Sequence, residues 1–329
     1  MFISLIAIKK CFHDDFQSIL PNFTNIEVES QTQAVEKKEI KIQFDLSSVI
    51  SNSDDSMCQY EKQVINWSLA TDMYTCTSKD LLTEDQKSAL QQTFNEVKSL
   101  LNSFILVEPL NQPISPVKIL DFPINEAIVV DSDLYISVYV RKLQHIYDTN
   151  MGSVFGPLYK GRPVQGVIFI DPQSIPSKYQ SLNSPNREFF LEILHQVFHI
   201  LGISKKLVNY WIDNTTNTQY KQSPIQKLHY NKYNKDYFVV DTPSTRKFMD
   251  DRFGNKPIDN INGIELDLKG NDFTSHTSGI VYFSDIMNTV SMPSKVISNA
   301  TKALLLSTGF YELSNSKFNL GKRFIRISI

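Results

Sequence analysis

Cysteine is scarce in this chain: Cys11, Cys58 and Cys76 are the only three among 329 residues. That is too few for a disulfide scaffold, so a packed core must carry the fold. No stretch approaches the ~18 consecutive apolar residues of a transmembrane helix. Basic and acidic side chains are nearly balanced, 33 against 35, and interspersed, so there is no basic stripe for nucleic acid. No internal repeat is found. With 41% hydrophobic and 21% charged residues the chain reads as globular, one large or two ordinary domains.

What is present falls into recognisable segments. Phe2 to Ile8 is apolar or small and is followed by Lys9-Lys10. It reads either as a minimal secretory core lacking its usual flanks or as a strand. Residues 1–38 are otherwise mixed and polar. Ile40 to Leu46 alternates as a strand does. Thr83 followed by Gln86 resembles a capping box, opening a helix with an apolar face to about Ser103. Strands are expected at Leu106-Val107, Val117–Leu120, Ala127–Val130, Leu134–Val140 and Val164–Ile170. Ser184-Pro185 is expected to start a largely buried helix, with Gly202 just past its end. Residues 203–275 read as loop-rich, and a last helix is expected from about Ser294 to Thr308. Sequons at Asn22, Asn66, Asn214 and Asn299 point only weakly to secretion.

The chemistry concentrates in His195-Gln196-Val197-Phe198-His199, followed by Gly202. Two histidines four apart lie one helical turn above each other, which lets two imidazoles reach one zinc ion. The peptidase form of this motif is H-E-x-x-H, with the Glu as general base. Here that position is Gln196. A hydrogen-bonded histidine pair with no metal is the bland alternative. A catalytic zinc needs a third ligand, and the compact motif would place it at 205, which is Lys205. His13, His145, His229 and His276 remain. His276 has the best context, because Ser275-His276 leads to Met287 in a candidate Met-turn.

At this point the chain resembles the leishmanolysin family of zinc metallopeptidases over roughly residues 11–321. His195, His199 and Gly202 match that family's zinc helix. Gly161-Arg162-Pro163 with Gly166, Thr242-Pro243 with Arg246 and Phe248, Ser275-His276 with Met287, and Gly309-Phe310-Tyr311 follow in order. The resemblance implies a mixed α+β, metzincin-like zinc metallopeptidase fold. A twisted N-terminal sheet would carry the zinc helix, followed by a loop-rich C-terminal subdomain. It divides the chain into a signal- or propeptide-like segment (1–38), a catalytic-type subdomain (39–202) and a C-terminal subdomain (203–329). It implies Zn2+ on His195, His199 and His276, with Met287 beneath. Cys11 in Cys11-Phe12-His13-Asp14 would be a cysteine switch, leaving Cys58 and Cys76 to pair. The implied partner is an extended peptide or protein, and the implied location secreted or at the cell surface. Peripheral association with a membrane stays open. The chain departs from the family in lacking cysteines near Gly161 and after Phe248, and in having Thr277 where a Trp is expected.

The largest departure is Gln196. In the family mechanism the motif Glu takes a proton from water and passes it to the leaving amine. An amide can orient water but cannot take its proton. Glu192, a turn toward the N-terminus, lies too far away to substitute well. Two readings follow. One is a zinc metalloendopeptidase impaired at its base. The other is a pseudopeptidase, a zinc-stabilised binding or cell-adhesion module. A degenerate product without zinc is a third.

Overall fold

A computed structural model describes residues 11, 13–19, 36–67, 73–124, 128–143, 150–230, 234–254, 262–289 and 295–314. The chain is a mixed α+β protein. Its central sheet contains β1 (Ile42–Asp45), β2 (Leu134–Val140), β3 (Met151–Phe155) and β4 (Gln165–Ile170), in the order β1-β2-β4-β3. β2 runs parallel to β1 and β4, with Ile136 opposite both Phe44 and Gly166, while β3 is antiparallel to β4. Every residue of β2, β3 and β4 is buried. That explains their near-continuous apolar sequences, since both sheet faces are covered.

Helices cover this sheet. Helix α2 (Glu84–Asn102) begins at the N-cap Thr83, whose side chain and that of Gln86 form the expected reciprocal capping box. Leu90, Phe94, Val97 and Leu101 recur at three- and four-residue spacing and are buried on the side that packs against β1 and the helix carrying the histidine pair. Helix α3 (Glu188–Ile200) carries the histidine pair and packs on β3 and β4. Its N-cap is Arg187, three residues later than the Ser184 cap that Ser184-Pro185 suggested. Gly166 is where α3 meets β4: a Cβ there would lie 2.7 Å from Ile200, so only glycine allows this approach. Gly202 ends the helix with φ +121°, the left-handed turn that glycine adopts without strain.

The region after α3 is more regular than its sequence suggests. β5 (Ile225–Tyr230), β6 (Lys235–Val240), β7 (Ile264–Lys269) and β8 (Asp272–Thr277) form an antiparallel sheet in that order. Helix α4 (Pro243–Phe253) is capped by Thr242 and packs on α5 (Asn299–Ser307), whose N-cap is Ser298. The last helix thus begins about five residues later than expected. Val117–Leu120 is not a strand. Val117 instead exchanges both backbone hydrogen bonds with the Gln165 side-chain amide, which replaces a ladder partner. Val130 makes only an isolated bridge to Ile114. Among the described residues no helix is long and apolar enough to cross a membrane. The Phe2–Ile8 segment lies outside the described residues.

Candidate metal centre

Helical periodicity sets two of the site's nitrogens. His195 and His199 sit one turn apart on α3, and their Nε2 atoms are 3.0 Å apart. The chain turns at Gly202, runs through the antiparallel sheet and returns at the end of β8. There His276 brings its Nε2 to 3.2 Å from that of His199. Cys11 Sγ lies 3.5 Å from His199 Nε2. The four ligand atoms all fall within 4.8 Å of one another.

Hydrogen bonds fix which ring nitrogens carry protons. His195 Nδ1 donates to Ile286 O at 2.7 Å, and His199 Nδ1 donates to Ile203 O at 2.8 Å. Carbonyl oxygens only accept, so both Nδ1 atoms must be protonated and both Nε2 atoms present lone pairs. Two lone pairs aimed at each other 3.0 Å apart in a buried site repel unless a cation lies between them. Among the described residues His276 Nδ1 has no hydrogen-bond partner, and the nearest carboxylate oxygen, Asp14 Oδ2, stands 3.9 Å away. Burial holds His195 and His199 well below the ordinary imidazole value and His276 at about 4, so all three stay neutral. Three neutral imidazoles and one thiol form a donor set that fits zinc in both type and number.

The turn after β8 is held by Asp285. Its Oδ1 accepts from Met287 N at 2.8 Å and Thr277 Oγ1 at 3.1 Å. Its Oδ2 accepts from Thr301 Oγ1 at 2.7 Å and from Ser298 Oγ. One buried carboxylate therefore ties β8, the turn and the start of α5 together. The turn in turn offers Ile286 O to His195. Lys295 Nζ, also buried, donates to Asn288 O in the same turn, and burial pulls its pKa down to about 8.

Helix α1 (His13–Ile19) packs over the histidine cluster against β3, an edge of the central sheet. His13 stacks flat on His199, with ring centroids 4.2 Å apart. Its Nδ1 donates to Ser153 O on β3, and its Nε2 meets Ser204 Oγ, both at 2.9 Å. Asp14 accepts from the backbone and hydroxyl of Ser275. Phe16 is fully buried among Trp67, Phe122 and Phe169. Gln17 Oε1 accepts from Phe155 N on the strand edge at 3.1 Å. Gln196 points the same way, its Oε1 accepting from Ser153 Oγ at 2.7 Å and its Nε2 donating to Cys11 Sγ at 3.5 Å.

The structure thus brings together Cys11, His195, Gln196, His199 and His276, with Ile286 of the Met287 turn against them. Met287 itself is fully buried. His229 lies elsewhere, paired with Asp236 on the exposed face of β5 and β6, and His145 lies outside the described residues. His13 reaches the site by stacking on a histidine rather than by offering a ligand atom. Cys58 and Cys76 are joined in a disulfide remote in sequence from these groups. Sequence reasoning passed over Ser153 and Lys295. A serine in a buried strand and a lysine after a turn carry no signal until tertiary contacts place them beside Gln196 and the Asn288 carbonyl.

A buried three-histidine cluster, paired on one helix and completed from the end of a distant strand, could hold a metal ion as the sites of zinc peptidases do. Residues 7–320 match the family model for leishmanolysin, the peptidase M8 family, and the chain belongs to that family. Comparison with curated proteins returned no match. Zinc metallopeptidase chemistry and peptide or protein substrates are what the family implies.

Proposed function

We propose that the protein holds one zinc ion on His195, His199 and His276 and hydrolyses peptide bonds only weakly, because Gln196 stands at the proton-acceptor position. The observation that carries this reading is the convergence of Nε2 lone pairs on the α3 histidines, whose Nδ1 protons are committed to Ile286 and Ile203. When bound, zinc supplies a Lewis acid for a peptide carbonyl and lowers the pKa of water to about 7. The chain's own residues orient and exclude. Gln196 hydrogen-bonds but takes no proton, and loss of a general base lowers rates by roughly 10²–10⁴-fold. Lys295 and Asp285 hold the turn that orients His195.

A second reading is favoured by α1. The histidine cluster is covered by the protein's own buried side chains, and the donor set has four members where catalysis needs an open position. On this reading the protein is a pseudopeptidase that serves as a zinc-stabilised binding or cell-adhesion module. For either reading we propose a secreted or cell-surface location. The Cys58–Cys76 disulfide supports an oxidising compartment, and Asn66, Asn214 and Asn299 of the sequons are exposed.

The test compares peptide hydrolysis by the full chain and its Gln196→Glu variant, both with Cys11→Ser, at equal zinc occupancy. We expect the Glu variant to be faster by about 10²–10⁴-fold. Wild-type turnover that disappears in His199→Ala supports the weak peptidase. Turnover in the Glu variant alone supports the pseudopeptidase. Failure to bind stoichiometric zinc overturns both.

A further inference from the structure

A chain of hydrogen bonds fixes the orientation of the Gln196 amide. His13 Nδ1 lies 3.3 Å from Ser153 Oγ, and Ser153 Oγ donates to Gln196 Oε1 at 2.7 Å. With its oxygen occupied, the amide turns its N–H toward Cys11 Sγ at 3.5 Å. A carboxylate in the same place has no proton to offer. Next to a metal-bound thiolate it would set like charge against like charge in a buried site. The amide replaces that repulsion with a donor, and hydrogen bonds to charged groups are the strong ones.

Four further anchors hold the same segment: the His13 bonds to Ser153 and Ser204, Asp14 on Ser275, Phe16 in its aromatic pocket, and Gln17 on Phe155. His13, Phe16 and Gln17 are each at most 1% exposed, so α1 is packed as core and not laid on the surface.

We infer that Gln196 is a clamp for Cys11, which makes the cysteine a permanent fourth metal ligand and keeps α1 seated over the histidine cluster. The inference rests on the zinc-binding reading above. It gives the substitution at 196 a positive role: the change that removes a base also closes the site. Gln196 is here a positioning residue, acting through Cys11.

With Cys58 and Cys76 paired, Cys11 is the chain's single free thiol, so its alkylation can be read by intact mass. The experiment treats full-length, zinc-loaded wild type, Gln196→Glu and Gln196→Leu with iodoacetamide. Metal content and amide hydrogen exchange over 13–19 are measured on the same samples. Wild type is expected to label slowly and to protect 13–19. Gln196→Glu should label faster by on the order of ten- to a hundredfold, the range of a charged-group hydrogen bond, and lose that protection. Gln196→Leu, which removes the donor without adding charge, should fall between them and still reports if the Glu variant does not fold. Equal labelling and protection in wild type and the variants, with zinc bound, overturns the clamp alone. Absence of zinc from wild type overturns the metal reading, and the clamp with it.

Discussion

Two of the buried polar centres among the described residues are built on opposite plans. In the first, Arg141 makes a two-pronged pair with Asp54 at 2.8 and 3.0 Å, reaches Asp121 at 3.3 Å and stacks over Phe122. Beside it Lys142 lies between Asp80 and Asp171 at 3.2 and 3.4 Å. Each of these charges has an opposite partner within the chain. In the second, three imidazole nitrogens face one another with a thiol beside them, and the nearby Lys295 ammonium is committed to the carbonyls of Ile286 and Asn288. Burying charge is tolerated when pairing is complete, as in the first. The second gathers neutral donors whose lone pairs a bound cation would satisfy. Self-sufficiency marks the first as a support of the fold, whereas the converging neutral donors of the second could hold a metal ion.

The sharpest way to break this comparison is to remove one member of each centre. His199→Ala takes away the nitrogen that lies close to His195, His276 and Cys11 together. Zinc content, read by elemental analysis, should fall to background while the far-ultraviolet circular dichroism is kept. Zinc in closed sites is worth about 10–16 kcal/mol, so this is the largest effect expected. Arg141→Ala should do the reverse. It strands the buried Asp54 carboxylate, and breaking such a pair costs about 3–5 kcal/mol in denaturant unfolding. The folded fraction should bind zinc at the wild-type ratio. Loss of zinc from folded Arg141→Ala would show that the two centres are coupled.

Acid should take the centres apart in sequence. The site histidines have folded pKa values below the unfolded value of about 6.5, because burial disfavours their charged forms. The unfolded chain therefore binds more protons in that window. Their stabilising contribution is complete above about 6.5 and falls as pH drops toward the folded value, about 4 for His276. Asp80 is also depressed. Burial pushes it up, but bonds from Thr77, Tyr74 and Gln173 outweigh that. Its contribution is complete above the unfolded carboxylate value of about 3.9 and is lost only below it. Zinc release, followed with a chelating dye, should precede loss of circular dichroism as pH falls. A single coincident transition would mean that the metal site and the fold fail as one unit.

How much of this was legible in the sequence depends on how local each signal was. Thr83 with Gln86, the His195 and His199 spacing, Gly202 and the buried strands are short-range patterns, and the structure places them as read. Ser184-Pro185 misled because a good cap sequence competes with tertiary packing, which puts the N-cap at Arg187. Residues 203–275 read as loop-rich because β5 and β6, within them, expose much of their length, so polar residues dilute the alternation. His276 lies 77 residues from His199 in sequence, and no periodicity links them. It was found through family resemblance and the turn that follows it. The relation of Gln196 to Ser153 and α1 was not readable, because three separate segments meet there.

The smallest test probes redundancy. Tyr74 donates to Asp80 Oδ2 at 2.7 Å, but Thr77 N at 2.9 Å, Thr77 Oγ1 at 2.6 Å and Gln173 Nε2 at 2.8 Å donate to the same carboxylate. Lys142 also faces it. Tyr74→Phe removes one donor and leaves the charge compensated, so the cost should be only about 1 kcal/mol in denaturant unfolding, that of a single net hydrogen bond. On the zinc-binding reading the metal centre has less reserve: its few donors converge on one point, and loss of His199, the nitrogen close to all the others, should release the ion. A cost for Tyr74→Phe approaching that of Arg141→Ala would mean that the self-sufficient centre is as all-or-none as the metal site. The distinction between a redundant support and a metal-completed site would then fail.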